Sequence, residues 1–200
     1  MDSVRRLISV CRRMQEKGNE SRVINLKKTA VINITSFGRE FPQHLQELEE
    51  KVGPVDKMLL PADMDGRTLA QKLKGYTYIV LGNYPTFDET FFSNNCDVKL
   101  IARHGIGFNN VDLESSKKHG VYVTHIQNYV ELDAVAEQAA ALLMAVSKNV
   151  VIANRKVHPG DWHRDRQEIM GIQLHGKTCG VHGCGHISPR FAPILKSGFH

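Results

Sequence analysis

Gly183, Cys184 and Gly185 stand between a short apolar run, Lys177 to His182, and a stretch from Ile187 to Leu195 whose apolar residues recur at near-helical spacing. A strand that enters a tight glycine turn and then a helix start is suited to gripping an anion. The first glycine permits the turn, the second lets the backbone approach closely, and unpaired amides at the helix start face the negative group. That is the pattern of a dinucleotide loop; its competitor is a plain structural turn. Ser188 occupies the third glycine position, which costs close helix–strand packing. Pro189 follows, in a first helical turn where its missing N–H has no partner anyway. Two further loops have related chemistry: Gly105-Ile106-Gly107 after Val98 to Ala102, and Gly82-Asn83-Tyr84-Pro85 after Tyr76 to Leu81. Glycines just past the carboxyl end of a parallel strand expose N–H groups where open α/β sheets take their ligands.

The elements that would position these loops alternate. Strands are expected at Ala30 to Phe37, Val55 to Leu60, Tyr76 to Leu81, Val98 to Ala102 and Val121 to Thr124. Between them, helices are expected at Pro42 to Val52, Asp65 to Leu73, Asp88 to Ser93 and Val111 to Lys118. Strands separated by helices imply a parallel sheet covered on both faces. Leu132 to Lys156 breaks the rhythm: Leu132, Val135, Ala136, Ala139, Leu142, Leu143, Val146 and Val150 keep one apolar stripe, and its alanines allow close approach by another helix. It reads as one long crossing or dimer-forming helix, ended by Pro159-Gly160-Asp161-Trp162. The charged segment to Gln167 then reads as a surface loop, and Lys177 to His182 as a buried parallel strand.

Composition narrows the function classes. Hydrophobic content of 42% and charged content of 24% are those of an ordinary globular chain. The net charge of +5 is carried entirely by Met1 to Lys28, and the remainder balances to zero, so a nucleic-acid-binding body is unsupported. Within that basic extension, Val4, Leu7, Ile8, Cys11 and Met14 recur at amphipathic spacing. An arm on a partner and a weakly organised extension are its plainer readings; a membrane-surface helix or a transit peptide is the alternative. The four cysteines show neither a C-x-x-C pair nor zinc-like spacing, so no metal site is expected. Cys179 and Cys184 read as buried small apolar residues. A reduced, cytoplasmic setting fits, and no run of eighteen apolar residues implies a membrane span.

Three segments together resemble the D-isomer-specific 2-hydroxy-acid dehydrogenases: LIARHGIGFNNVD (100–112); DAVAEQAAALL (133–143) leading to VHPGDW (157–162); and Gly176 to Ile187. The likeness runs from about Lys28 to the last residue. It implies a flavodoxin-like parallel-sheet substrate domain at residues 28–125. The beginning of a Rossmann NAD-binding domain would follow at residues 126–200, truncated, with residues 1–27 as a basic extension. It further implies that the Ile106 and Gly107 amides hold a substrate carboxylate beside Gly105 in an interdomain cleft, with Asn83 and Tyr84 lining it. Gly183, Gly185, His186 and Ile187 would lie against the pyrophosphate of NAD, NADP not being excluded. The partner would be a small 2-keto or 2-hydroxy acid, with a homodimer for the full-length protein.

Members of that family use a histidine, a carboxylate and an arginine that lie well beyond the glycine turn, and this sequence ends fifteen residues past Gly185. No catalytic residue is therefore assigned in this chain, and a fragment without turnover is expected. His104 and His125 sit at strand ends, where a substrate contact and a hydrogen-bonded structural role both remain open. His182 and His186 have no carboxylate nearby in sequence, and Glu137 reads as a structural helix residue. Two other readings stand beside the oxidoreductase: a non-catalytic dimerising or corepressor-like module, and a degenerate product.

Overall fold

The computed structural model describes residues 28–126, 130–160 and 166–199; the basic extension lies outside them. They fall into two compact units that divide just after residue 126.

The first unit is built on five parallel strands: β1 Lys28–Ile32, β2 Val55–Met58, β3 Tyr76–Leu81, β4 Leu100–Arg103 and β5 Tyr122–Thr124, in the order β2-β1-β3-β4-β5. This is the doubly wound, flavodoxin-like order, with its reversal between β1 and β3. Burial on both faces explains why these strands read as continuous apolar runs. Ile32, Ile79, Leu81 and Ile101 pack on one face with Leu69, Leu73, Phe91 and Phe92. Val31, Tyr78, Val80 and Leu100 pack on the other with Leu48 and Phe37.

The connecting helices are α1 Pro42–Val52, α2 Gly66–Lys72, α3 Glu89–Asn94 and α4 Leu113–Lys118. Pro42 opens α1 where its missing N–H costs nothing, and Gly53 at φ 83° ends it. The other three start on an aspartate. Asp65 accepts from the Arg67 and Thr68 amides at 3.0 Å, Asp88 from Phe91 at 2.9 Å and Asp112 from Ser115 at 3.1 Å.

β1 stops five residues before the expected Phe37. Asn33 turns the chain with φ 55°, a left-handed conformation that asparagine tolerates better than most side chains.

The second unit consists of α5 Leu132–Ser147, α6 Val150–Val157, α7 Arg166–Ile169 and α8 Ser188–Phe199, with α8 packed on α5. It departs from the sequence reading in three ways: a broken helix, an absent strand and exposed cysteines. The long helix is broken: Asn149 adopts φ 51° and α5 and α6 meet at 58°. The break is held by a distant segment, since Ile172 N–H donates to Ser147 O at 2.7 Å and Asn149 Nδ2 donates to Met170 O at 2.7 Å. Gly171 allows that approach, because a Cβ there would lie 2.3 Å from Ser147 O. Along the apolar stripe Ala136 is buried, whereas Leu142 is 56% and Val146 76% exposed.

No strand forms over residues 177–182, where Val181 is 41% exposed and His182 stands in open chain. A parallel strand exists only by pairing, and none of the described residues supplies a neighbour. For the same reason Cys179 and Cys184 are exposed rather than buried. The segment expected as a surface loop to Gln167 has residues 161–165 outside the described set, and α7 begins in its last two residues, Arg166 and Gln167.

Among the described residues no single helix is long and apolar enough to cross a membrane; only α5 and α6 taken together as a bent pair reach that length and composition.

Candidate functional site

In an open parallel sheet ligands gather at the carboxyl ends of the strands, near the point where strand order reverses. Here that edge carries Asn33 after β1, Gly82 to Pro85 after β3, Arg103 to Gly107 at the end of β4 and His125 after β5.

The loop after β3 is pinned by three side chains from three other segments. Asn33 Nδ2 donates to Tyr84 O at 2.9 Å and to Leu60 O at 3.0 Å, while Asn33 Oδ1 accepts from Leu60 N–H at 2.8 Å. Asn110 Nδ2 donates to Gly82 O and Pro85 O, each at 3.2 Å. The Arg103 guanidinium reaches Asn83 Oδ1. Gly82 must be glycine, because a Cβ would fall 2.4 Å from Asn33 O. Its carbonyls thus engaged, the loop presents the Asn83 and Tyr84 side chains, both exposed, at the sheet edge.

Arg103 is a buried cation at the end of β4, only 7% exposed. Its Nη1 donates to His104 O at 2.6 Å, so the one guanidinium joins the β3 loop to the β4 loop. Gly105 leaves room for it: a Cβ there would lie 2.5 Å from Arg103 Nη1. The His104 ring meets Phe37 edge-on, with centroids 6.0 Å apart.

Beyond Gly105 the loop opens. Among the described residues the Ile106 and Gly107 amides donate no hydrogen bond, and no atom beyond its chain neighbours lies within 4 Å of a Cβ built on Gly107. The segment after β5 supports them from behind. Ile126 N–H donates to Gly105 O at 3.0 Å, and His125 Nδ1 lies 3.0 Å from Ile106 O, its ring 5.0 Å from that of Phe108. The end of the motif has structural duties too. Phe87 N–H donates to Asn110 O at 2.8 Å, and Asp112 caps α4 with Ser115 Oγ donating to its Oδ2 at 2.5 Å. Those Ser115 contacts, side chain first, hold the Asp112 carboxyl below the usual carboxylate range.

Two adjacent amides without partners among the described residues, at the carboxyl end of β4, can hold one carboxylate. No described cluster of His, Cys, Asp or Glu has the geometry of a metal site.

In the second unit, Gly183 turns the chain at φ 96°, which favours glycine, and no atom lies near a Cβ built on Gly185. Ser188 Oγ donates back to Gly183 O at 2.7 Å, closing the turn, and the Arg190 and Phe191 amides return to Ile187 O. Ile187 is 40% exposed just before α8. Glycine turn and helix start are therefore present, and the turn follows open chain rather than a strand. Its donor set, the Gly185 to Ser188 backbone before a helix of twelve residues, suits a phosphate.

Sequence reasoning located the Gly105–Gly107 and Gly82–Pro85 loops, and missed Asn33, Arg103 and Asn110 as the residues that hold them. Arg103 and Asn110 lay in plain view inside LIARHGIGFNNVD, but their partners are 20 and 25 or more residues away.

Residues 30–176 match the family model for the D-isomer specific 2-hydroxyacid dehydrogenase, catalytic domain. A glyoxylate reductase of Thermococcus litoralis is 30% identical over 163 residues, covering 79% of this chain and 49% of that protein. A D-3-phosphoglycerate dehydrogenase of Archaeoglobus fulgidus is 31% identical over 134 residues, covering 67% of this chain and 25% of that protein. Among solved structures, a pyruvate reductase of Chlamydomonas reinhardtii superposes with a TM-score of 0.71 at 26% identity, over 88% of this chain and 51% of that one. The D-lactate dehydrogenase of Escherichia coli gives 0.68 at 26% identity, over 85% and 53%. The chain spans about half the length, or less, of the curated relatives it matches.

Proposed function

Because this chain belongs to the D-isomer-specific 2-hydroxyacid dehydrogenase family, we propose that its first unit binds the carboxylate of a small 2-keto or 2-hydroxy acid for a nicotinamide-dependent oxidoreductase. The observation that carries the reading is the pair of amides at Ile106 and Gly107, free of partners among the described residues at the carboxyl end of β4. Gly105 supplies the space that lets Arg103 brace the loop, and Asn83 and Tyr84 line the same edge.

The second unit, on this reading, meets NAD or NADP through backbone groups of Gly183, Gly185, His186 and Ile187 against the pyrophosphate. The nicotinamide, when bound, exchanges a hydride with the carbon that bears the hydroxyl. We assign no proton-transfer role to any residue of this chain; its own contribution is to bind and orient. The three cysteines among the described residues, Cys96, Cys179 and Cys184, are free thiols, which favours the cytoplasm as its location.

The test is a titration of the uniformly 15N-labelled chain with glyoxylate, and separately with the unreactive analogue oxamate. The Ile106 and Gly107 amide resonances should move in a saturable way. If they stay still while other amides respond, the carboxylate site lies elsewhere and the reading falls. Mixed with NADH and a 2-keto acid, the chain should bind without turnover; steady NADH oxidation would put the proton-transfer group within these 200 residues.

A second reading rests on the uncovered apolar side chains of α5 and α6, among them Val146 at 76% and Val151 at 57% exposure. They suit a surface that pairs two copies, in a homodimeric enzyme or in a non-catalytic dimerising module.

A further inference from the structure

The two carboxylate-binding amides do not aim themselves. Both peptide bonds, Gly105–Ile106 and Ile106–Gly107, are trans. In a planar trans peptide the C=O and the N–H point in opposite directions. Whatever fixes the carbonyl of a residue therefore fixes the direction of the next residue's amide. Gly105 O is held by Ile126 N–H at 3.0 Å, which turns the Ile106 N–H away from the segment after β5. Ile106 O is held by the ring of His125 at 3.0 Å, which does the same for the Gly107 N–H. Two consecutive residues thus anchor two consecutive carbonyls and leave two consecutive amides facing outward.

The His125 contact also fixes a proton. A carbonyl oxygen has none to give, so the hydrogen bond exists only if Nδ1 carries the hydrogen. The ring is half-buried and lies against Phe108, which restricts the alternative of flipping outward.

We propose that His125 is a positioning residue for the substrate carboxylate: its Nδ1–H holds the Ile106 carbonyl and so points the Gly107 amide at the ligand, without touching the ligand itself. The inference rests on the carboxylate reading of Ile106 and Gly107. It makes His125 a part of the binding device that contributes geometry, and an asparagine should replace it, since Asn33 and Asn110 already hold carbonyls at this sheet edge in the same way.

The experiment uses the full chain and oxamate as probe. His125→Ala should weaken oxamate binding about tenfold, the scale of one lost hydrogen bond in an aligned pair of donors. The Gly107 amide should lose more of its oxamate-induced shift than the Ile106 amide, whose own anchor is Ile126. His125→Asn should restore affinity to within about twofold, a rescue that simple loss of packing would not give.

A second measurement needs no variant. Long-range 1H–15N spectra of the unmodified chain at neutral pH should show the His125 ring protonated at Nδ1. An Nε2–H tautomer overturns the proposal outright. If oxamate fails to bind the unmodified chain, the carboxylate reading falls and takes this inference with it. If it binds, and His125→Ala binds equally well with the same shift pattern, only the role of His125 is overturned.

Discussion

Glu89 leaves the first turn of α3 and meets four groups at once. Ser115 and Ser93 hydroxyls, the His119 ring at 3.3 Å and Lys118 Nζ at 3.2 Å hold its carboxyl down at about 2, below its ordinary 4.5. Ser115 has one hydroxyl proton, and Asp112 at 2.5 Å competes for it, so the depression at Glu89 is the smaller for that contest. The folded-state value lies below the unfolded one. The stabilising contribution is therefore complete above about pH 4.5 and is lost as the pH falls toward 2. Ser115 is buried, but the ion pair of Glu89 with Lys118 is solvent-exposed, so added salt should shrink that part of the effect. Urea unfolding across this range should find Glu89→Gln less stable than the parent at pH 6, with the two curves converging as acid is added. A gap that persists at the acid end would mean that α3 and α4 are tied by something other than this carboxylate.

The same detail shows what single residues disclose and what they hide. Asp65 and Asp88 stand at the first positions of their expected helices, and Asp112 caps a helix expected to begin one residue earlier at Val111; a cap acts on amides two or three positions ahead and so stays within reach of sequence reading. Asn33 and Asn110 do not, because each acts on carbonyls brought near only by the folded sheet.

Helix α5 and helix α6 illustrate a second kind of failure. Their apolar residues keep helical spacing through residues 147 to 150, and no glycine or proline interrupts them. The break is imposed from outside: Ile172 takes the Ser147 carbonyl that helix continuation would use, and Asn149 turns left-handed to reach Met170. Local spacing cannot register a competitor more than twenty residues downstream.

If Asn149 is left-handed in solution, Asn149→Gly should cost little, since glycine adopts that conformation freely. Asn149→Ala should cost about 1–2 kcal/mol more than Asn149→Gly, because alanine is strained there. Chemical denaturation followed by circular dichroism at 222 nm reads both variants. Should alanine instead match or exceed asparagine and raise the helix signal, α5 and α6 form one continuous rod and the sequence reading was right.

Strand behaviour follows the same logic. Tyr76 to Leu81 formed as expected because β1 and β4 flank it, whereas Lys177 to His182 stays open, with no pairing strand among the described residues.

The two units differ in how completely each buries its own apolar surface. In the first, alternate residues of the central strands β3 and β4 are sealed on opposite faces: Ile79, Leu81, Leu100 and Ile101 are all at 0% exposure. In the second, Leu142, Met144, Val146, Val150, Val151 and Ile152 are each at least 44% exposed, clustered along α5 and α6. Scattered exposed apolar residues need no explanation, but their concentration on two consecutive helices leaves apolar area that gains from being covered. The simplest cover is a second copy, since a closed pair satisfies both faces at once. Sedimentation velocity over a dilution series should show association that weakens on dilution. The double variant Val146→Lys with Val151→Lys should move the equilibrium to monomer, because two cations would have to lose their water in the pair. Its Ile106 and Gly107 amides should still answer to oxamate, since the residues of the proposed carboxylate site all belong to the first unit. A parent chain that stays monomeric at every concentration would leave that apolar surface to some other partner and remove the dimerising reading. Monomer formation accompanied by loss of the oxamate response would instead show that the first unit's site depends on pairing of the second.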